Sequence, residues 1–519
     1  MEEPICPIDS SCQTQISALL SPPSTLQLQA LSPSNFQLTS LLFLFCSLHL
    51  IASFCLSQEY YNTLLSARHY SSITVKQDAN FGKGVFAAMD FSDGDLVLRD
   101  QMLVGSQHSF NKIDCFVCSF CFRFIGSIEL QIGRRLYLQG LRDSESHGCD
   151  VGSSSSLSKN FHEMDSSSED EDQGTHQCGS GSSKDKNPLP EGVVESLMNG
   201  QLNLPFSKEF SLPSAVPCLG GCGEAYYCST SCAEADWESS HSLLCTGERS
   251  DPAHREALLK FNKHANETND IFILAAKAIC FTILRYRKLK ANCHEGKMKY
   301  DTSGDSNSYN ASLLLEAWRP ISMGHKRRWW DCVALPDDID SSDEDSFRMQ
   351  IKELAFKSLQ LLKKAIFDKE CEPLFSLDIY GHIIGMFEQN NLDLVVASPV
   401  EDYFLYIDDL KNPDKEEAEK ITQPILDALG EDYSVCCQGT AFFPLQSCMN
   451  HSCSPNAKAF KRDEDRDGQA TIIAVRPIRK GEEITISYVD EDLPFEERQA
   501  SLADYGFRCR CPKCIEEEP

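Results

Sequence analysis

Asn450-His451-Ser452-Cys453-Ser454-Pro455-Asn456 is followed by Gly481-Glu-Glu-Ile-Thr-Ile-Ser-Tyr488, and then by Tyr505-Gly-Phe507-Arg-Cys509-Arg-Cys511-Pro-Lys-Cys514. The last string offers three thiolates in Cys-x-Cys-x2-Cys spacing. A tetrahedral structural zinc takes four ligands, so a fourth must come from elsewhere, and Cys453 is the candidate. The competing reading is an exposed redox-active tail. Between these strings lie short strand-forming runs, Thr471-Ile-Ile-Ala-Val475 and Ile484-Thr-Ile-Ser-Tyr488, with a turn at Arg479-Lys-Gly481.

Further upstream, Cys115-x2-Cys118, Cys218-x3-Cys222, Cys228-x3-Cys232 and His241-x3-Cys245 make four ligand pairs, enough for two more zinc ions. In the first pair Cys121 can replace either Cys115 or Cys118. Tyr226-Tyr-Cys228 and Trp237 supply the small apolar core that such a module needs. The chain holds 25 cysteines. In close pairs with a histidine at ligand spacing they read as metal ligands rather than disulfides, which implies a reducing compartment. The Asn266-Glu-Thr268 and Asn310-Ala-Ser312 glycosylation patterns are then chance matches.

Working outward, residues 69–104 read as short strands around Ile73-Thr-Val75, Gly84-Val-Phe-Ala87 and Asp95-Leu-Val-Leu98, broken by Gly82, Gly84 and Gly94. Residues 143–191 are serine-rich and acidic, too poor in apolar surface to offset their ordering entropy. Glu256 to about Leu289 has a helical pattern. A polar gap over 291–346 follows. Ile351, Leu354, Ala355, Leu359, Leu362 and Ile366 share one helical face, and Lys411–Leu429 is a further helix stopped at Gly430. The expected segments are an arm over 1–66, strands over 67–114, a cysteine module over 115–245 with a disordered insertion near 123–217, a helical insert over 246–435, a second strand-rich part over 436–495, and the cysteine tail over 496–519.

Leu41 to Leu56 is almost wholly apolar, but shorter than the roughly 20 residues that span a bilayer, and no Lys or Arg precedes it. We read about 30–57 as a translated intron or an isoform insertion, with a membrane anchor as the competing reading, and expect no membrane association. The chain has 519 residues, 41% of them hydrophobic, which excludes wholesale disorder. Its formal charge is −29 and its pI about 4.8. That argues against direct nucleic-acid binding through a basic face and favours Lys/Arg-rich peptides as partners.

The strings quoted first resemble the SET domain of protein lysine methyltransferases, with Tyr505–Cys514 similar to its post-SET zinc motif and Gly82-Lys83-Gly84 to its N-terminal G-x-G. The interrupting cysteine module resembles a MYND finger. The whole is similar to the SET–MYND methyltransferases, nearest the plant trithorax-related branch. The resemblance implies a mostly β fold of short curved sheets, with a knot-like threading of the C-terminal strand, a helical insert and two zinc modules. MYND ligands interleave, so it assigns Cys115, Cys118, Cys228 and Cys232 to one zinc, and Cys218, Cys222, His241 and Cys245 to another. A third ion would sit among Cys453, Cys509, Cys511 and Cys514.

The same resemblance implies S-adenosylmethionine as cofactor, held by Gly82, Lys83, Gly84, Asn450, His451, Tyr488 and Phe507. Tyr505 is then the principal catalytic hydroxyl and Tyr488 orients the substrate amine. The expected substrate is a histone tail, H3 favoured, and the expected location the nucleus, with the cytoplasm as a second location. A transcription factor or proline-containing peptide is the expected partner of the MYND-like module. The rival readings are an inactive adaptor and a methyltransferase of non-histone proteins.

Overall fold

Twelve strands form among the described residues of the computed structural model, which are 58–78, 82–146, 189–190, 192–248, 250–294, 306–324, 327–336, 339–430, 433–462 and 464–518. They are β1 (Ile73–Asp78), β2 (Gly82–Ala87), β3 (Leu96–Asp100), β4 (Val104–Gln107), β5 (Val216–Pro217), β6 (Tyr226–Tyr227), β7 (Asn391–Val396), β8 (Cys437–Phe442), β9 (Asn450–His451), β10 (Ala457–Ala459), β11 (Ala470–Ala474) and β12 (Glu483–Ile486). Three small sheets run in the orders β1-β2-β12-β9, β10-β11-β3 and β4-β8-β7, and β5 pairs with β6 inside the cysteine module. Each of the three joins strands from both ends of the chain, so neither half could complete its sheets alone.

The register follows from side-chain alternation. Ile73 and Val75 of β1 point inward, as do Val85 and Ala87 of β2 and Ile484 and Ile486 of β12. They share one core with Leu98, Ala457, Ile472 and Met449, capped by Tyr61 and Leu65 from a helix over 58–67. Asp100 ties this corner together. Its buried carboxylate accepts from the Leu445 and Gln446 amides at 2.7 and 2.9 Å and pairs with Arg68. Burial pushes that carboxyl up to about 6 against the pull of Arg68.

The expected polar gap over 291–346 needs correction. Residues 306–322 form a helix, Ser306–Ser322, whose Leu313, Leu314, Ala317, Trp318 and Ile321 are fully buried. They pack with helices Pro252–Thr268, Ile271–His294, Glu344–Ile366 and Leu377–Asn390 around Phe272, Ile279 and Phe387. Asp251 starts this bundle by accepting from the Ala253 and His254 amides, with proline at the first helical position. Because the insert is so large, helix outweighs strand, and the expected mostly β character belongs to the sheets alone.

The expected insertion near 123–217 is also narrower than its sequence suggests. Residues 128–146 form helix Ile128–Ser146, and Val193–Met198 forms another. Ile128, Ile132 and Leu136, one helical turn apart, pack with Leu197 against Val400, Tyr403, Phe404 and Ile425 of helices Pro399–Asp409 and Asp414–Leu429. The serine-rich acidic run of 147–188 lies outside the described residues, as does the apolar stretch 41–56. Among the described residues no helix is long and apolar enough to cross a membrane.

Candidate active site and metal clusters

One pairing organises the site: β12 lies between β2, antiparallel, and β9, parallel, with Ile484 opposite Val85, Thr485 opposite Asn450, and Ile486 opposite His451. The glycine strand and the Asn-His pair thereby flank a single central strand. Asn456, buried in the loop after His451, fixes that arrangement. Its Nδ2 donates to the Glu483 carbonyl at 2.7 Å and its Oδ1 accepts from the Thr485 amide at 2.8 Å.

Gly82 has φ +74°, a region that favours glycine, and a Cβ there would meet nothing within 4 Å. This is the open side of the strand, where a ligand can approach backbone. Gly84 is crowded instead: a Cβ would lie 2.7 Å from Glu483 Oε1 and 3.4 Å from Asn450 Nδ2. Asn450 Nδ2 donates to that same Glu483 carboxylate at 2.7 Å. Lys83 points away from this face. Its ammonium bonds the Met323 carbonyl and lies 3.4 Å from the Tyr61 hydroxyl, so only its backbone remains for the cofactor role expected of it.

His451, Tyr488, Tyr505 and Phe507 converge next to this strand. Ring centroids are 5.3 Å apart for His451–Tyr488 and Tyr488–Tyr505, 5.9 Å for His451–Phe507 and 6.4 Å for Tyr488–Phe507. His451 Nδ1 accepts from the Tyr488 amide at 3.0 Å, which leaves the proton on Nε2, 3.2 Å from Cys453 Sγ. Burial, aided by the Arg498 guanidinium, pushes this imidazole down to about 4, so it is neutral at pH 7. The Tyr488 hydroxyl donates to the Met449 carbonyl at 2.5 Å, and burial raises its pKa. Tyr488 is therefore a protonated donor held in place, not a base.

Among the described residues, three clusters each bring four donor atoms within 4.8 Å of one another: Cys118, Cys121, Cys228 and Cys232; Cys218, Cys222, His241 and Cys245; and Cys453, Cys509, Cys511 and Cys514. Four soft donors at tetrahedral spacing suit zinc in each. Cys115 does not join the first cluster, and Cys121 stands in its place. The Cys115 thiol is buried beside Phe122, Phe124 and Cys437 and donates to the Val435 carbonyl at 3.1 Å, while Cys121 Sγ lies 3.5 Å from Cys228 Sγ. The second cluster has an ordered surround. Asp236, in the helical turns that carry His241, accepts from the Tyr227 hydroxyl at 2.8 Å and from Ser240 Oγ at 3.1 Å.

A family model described as "SET domain" matches residues 82–489. The chain belongs to the SET-domain family. It is 65% identical over 463 residues, 89% of this chain and 93% of the relative, to the histone-lysine N-methyltransferase ATXR2 of Arabidopsis thaliana. The protein-lysine N-trimethyltransferase SMYD5 of Mus musculus is 25% identical over 57% of this chain and 65% of its own length. A SET and MYND domain-containing protein of Dictyostelium discoideum is 41% identical over 80 residues. The chain is an enzyme of the SET methyltransferase class, whose members use S-adenosylmethionine.

Sequence reasoning left five contributors unassigned. Cys121 was visible only as an alternative within an ambiguous run. Glu483 and Asp100 carry no motif, being single acids in strand-forming stretches. Arg327 and Gln389, from the helical insert, both donate to the Asp504 carbonyl next to Tyr505. No local pattern marks either of them.

Proposed function

We propose that the chain transfers methyl groups from S-adenosylmethionine to a histone lysine, with H3 the favoured substrate, as a nuclear chromatin regulator. The observation that carries this is the convergence of Gly82, Asn450, His451, Tyr488, Tyr505 and Phe507, drawn from opposite ends of the chain, around β12. The names of the Arabidopsis and mouse relatives support lysine as the acceptor. Three zinc ions, one per donor cluster, would hold the two cysteine regions. The module over 115–245 is read as a MYND finger for a proline-containing peptide or transcription-factor partner.

The cofactor supplies an electrophilic methyl group on a sulfonium. Everything else falls to the chain. The residue of greatest consequence is the one that aims the amine, because in-line displacement depends on orientation. A free lysine has a pKa near 10.4 and attacks only as the neutral amine. Apolar walls formed by Tyr488, Tyr505 and Phe507 disfavour the ammonium form and so help release its proton to solvent. Tyr488, expected to orient the amine, has its hydroxyl held on the Met449 carbonyl and is read instead as fixing one wall. Tyr505, opposite, presents the hydroxyl that orients the amine. Gly82 admits the cofactor to the backbone, and the Phe507 ring packs on it.

Radiolabel transfer from S-adenosylmethionine to a panel of histones tests both halves. Wild-type protein should label H3. Tyr505→Phe should lose roughly 10²-fold or more in turnover while retaining cofactor affinity by calorimetry. Labelling of no histone by active protein would reject the substrate; a fully active Tyr505→Phe would reject the residue.

A further inference from the structure

Tyr505 sits where helix Phe495–Asp504 ends, and two side chains from the distant helical insert reach that end. Helix termini leave their last carbonyls without partners. Here the Gly506 amide donates to Ala503 O at 2.8 Å and the Phe507 amide to Leu502 O at 3.4 Å, with Gly506 at φ +84°. This is a Schellman cap, and it sets the directions in which Tyr505 and Phe507 leave the helix. The Asp504 carbonyl, the next one along, is not served by the cap. It accepts instead from Arg327 Nη1 and from Gln389 Nε2, each at 3.3 Å.

Arg327 is itself anchored by a second hydrogen bond, and Gln389 is carried on a long helix. Arg327 Nη2 donates to the Asp331 carbonyl at 2.6 Å, and Arg327 Nη1 is 3.6 Å from where a Gly506 Cβ would stand, so the guanidinium lies directly against the cap. Gln389 is on the last turn of helix Leu377–Asn390, immediately before β7. Four residues before Arg327, the Met323 carbonyl receives the ammonium of Lys83 from the glycine strand β2. The insert is therefore bonded on one side to the strand that faces the cofactor and on the other to the residue preceding the catalytic tyrosine.

We infer that Arg327 and Gln389 are positioning residues that clamp the Asp504 carbonyl and thereby hold Tyr505 at its place opposite Tyr488. The inference rests on Tyr505 having the role proposed above. The physical reason for two clamps is leverage. The helix is short and is tied to the Cys509–Cys514 segment through Gln499, whose amide bonds the Cys509 carbonyl and Cys514 Sγ, so a second hold on its C-terminal carbonyl opposes tilting of the cap about that anchor. A small tilt displaces the Tyr505 hydroxyl, and misplacement by about 1 Å costs up to 10²-fold in an orientation-dependent reaction.

The test compares Arg327→Gln, Arg327→Lys, Gln389→Leu and Tyr505→Phe in the full chain. With wild-type protein active, Arg327→Gln and Gln389→Leu should each lower kcat about 10-fold, leaving KM, S-adenosylmethionine affinity and zinc content unchanged. Arg327→Lys, which keeps a charged donor, should recover part of the loss. In a Tyr505→Phe background the clamp substitutions should add little, because the group they aim is already gone. Hydrogen exchange of the Gly506 and Phe507 amides should quicken in both clamp variants without any substrate present. Unchanged kcat, or clamp losses that multiply in full with Tyr505→Phe, would overturn the inference; so would unchanged exchange. Inactive wild-type protein with quickened exchange in the variants would instead reject the functional reading and leave the clamp standing. Should Arg327→Gln fail to fold, Gln389→Leu carries the same comparison alone.

Discussion

In the module spanning 115–245, both donor clusters draw every ligand from within the module itself, although Cys121 and Cys228 of the first lie 107 residues apart in sequence. In the C-terminal cluster the ligands straddle the fold: Cys453 leaves the loop that carries His451, and Cys509 lies two residues beyond Phe507. The first region meets the rest of the enzyme through apolar cores, in which Ile128 and Leu197 pack with Tyr403 and Phe404, and Phe122 and Phe124 with Leu394 and Val396, none of them a residue of the tyrosine site. The second shares its residues with the tyrosine site. The same thiolate chemistry thus serves a module packed beside the sheets in one place and the surround of Tyr488 and Tyr505 in the other. Where the ligands sit relative to the site, more than how many there are, decides what a metal is worth to activity.

The largest effect should come from breaking the C-terminal cluster. Cys453→Ser removes the ligand that joins the tail to the sheet, and formation of such a site is coupled to folding of what it joins. Metal analysis should show one zinc lost per chain, with turnover reduced beyond 10²-fold and cofactor binding weakened. Cys222→Ser, in the module, should also lose one zinc but keep turnover within a few-fold. Equal losses of activity in the two variants would erase the distinction, and full zinc with full activity in Cys453→Ser would remove Cys453 from the ligand set.

The halves of this comparison were unequally legible. Cys-x-Cys-x2-Cys names its need for a fourth ligand, and Asn450–Asn456 is distinctive enough to supply it; both readings need only local spacing. The parallel pairing of β9 with β12 is a long-range consequence, yet the two strings that form it were recognisable separately. The module was harder. Cys115, Cys118 and Cys121 are evenly spaced, so two overlapping Cys-x2-Cys pairs fit, and only the apolar packing of Cys115 against Phe122 and Phe124 selects between them. The helix Ile128–Ser146 had a signal in Ile128, Ile132 and Leu136, but it adjoins a serine-rich run and was absorbed into it. Arg327 and Gln389 act through a backbone carbonyl over 100 residues away in sequence, a contact that no composition or period encodes.

A smaller effect sharpens the module's half. Cys121→Ser should cost one zinc and lower the melting temperature, since removing one of four ligands disables the site. Cys115→Ser should keep all the zinc. Its hydroxyl can still donate to the Val435 carbonyl, so the cost should be roughly 1 kcal/mol, from placing a more polar atom among Phe122, Phe124 and Cys437. Zinc lost from Cys115→Ser and retained in Cys121→Ser would reverse the ligand assignment.

The smallest effect should follow from deleting residues 147–188 and joining Ser146 to Leu189 through a short flexible linker. The deleted sequence is dominated by serine, acidic residues and glycine, with few apolar side chains to bury. The cut must stop there. A wider deletion, 143–191, would take Leu189, which packs with Val193 and Val194 beside Leu197 and Tyr403, and would shorten the helix that carries Ile128, Ile132 and Leu136. Loss of the half-buried Leu189 contact should cost about 1–2 kcal/mol, at the low end of large-to-small core substitutions. The narrow deletion should therefore leave melting temperature, zinc content and turnover near wild type, while the wider one lowers the melting temperature by several degrees. Loops of this length add only slowly to closure entropy, so a modest gain in stability from the narrow cut is also expected. A large loss of stability or zinc in the narrow deletion would show that the module depends on this run after all.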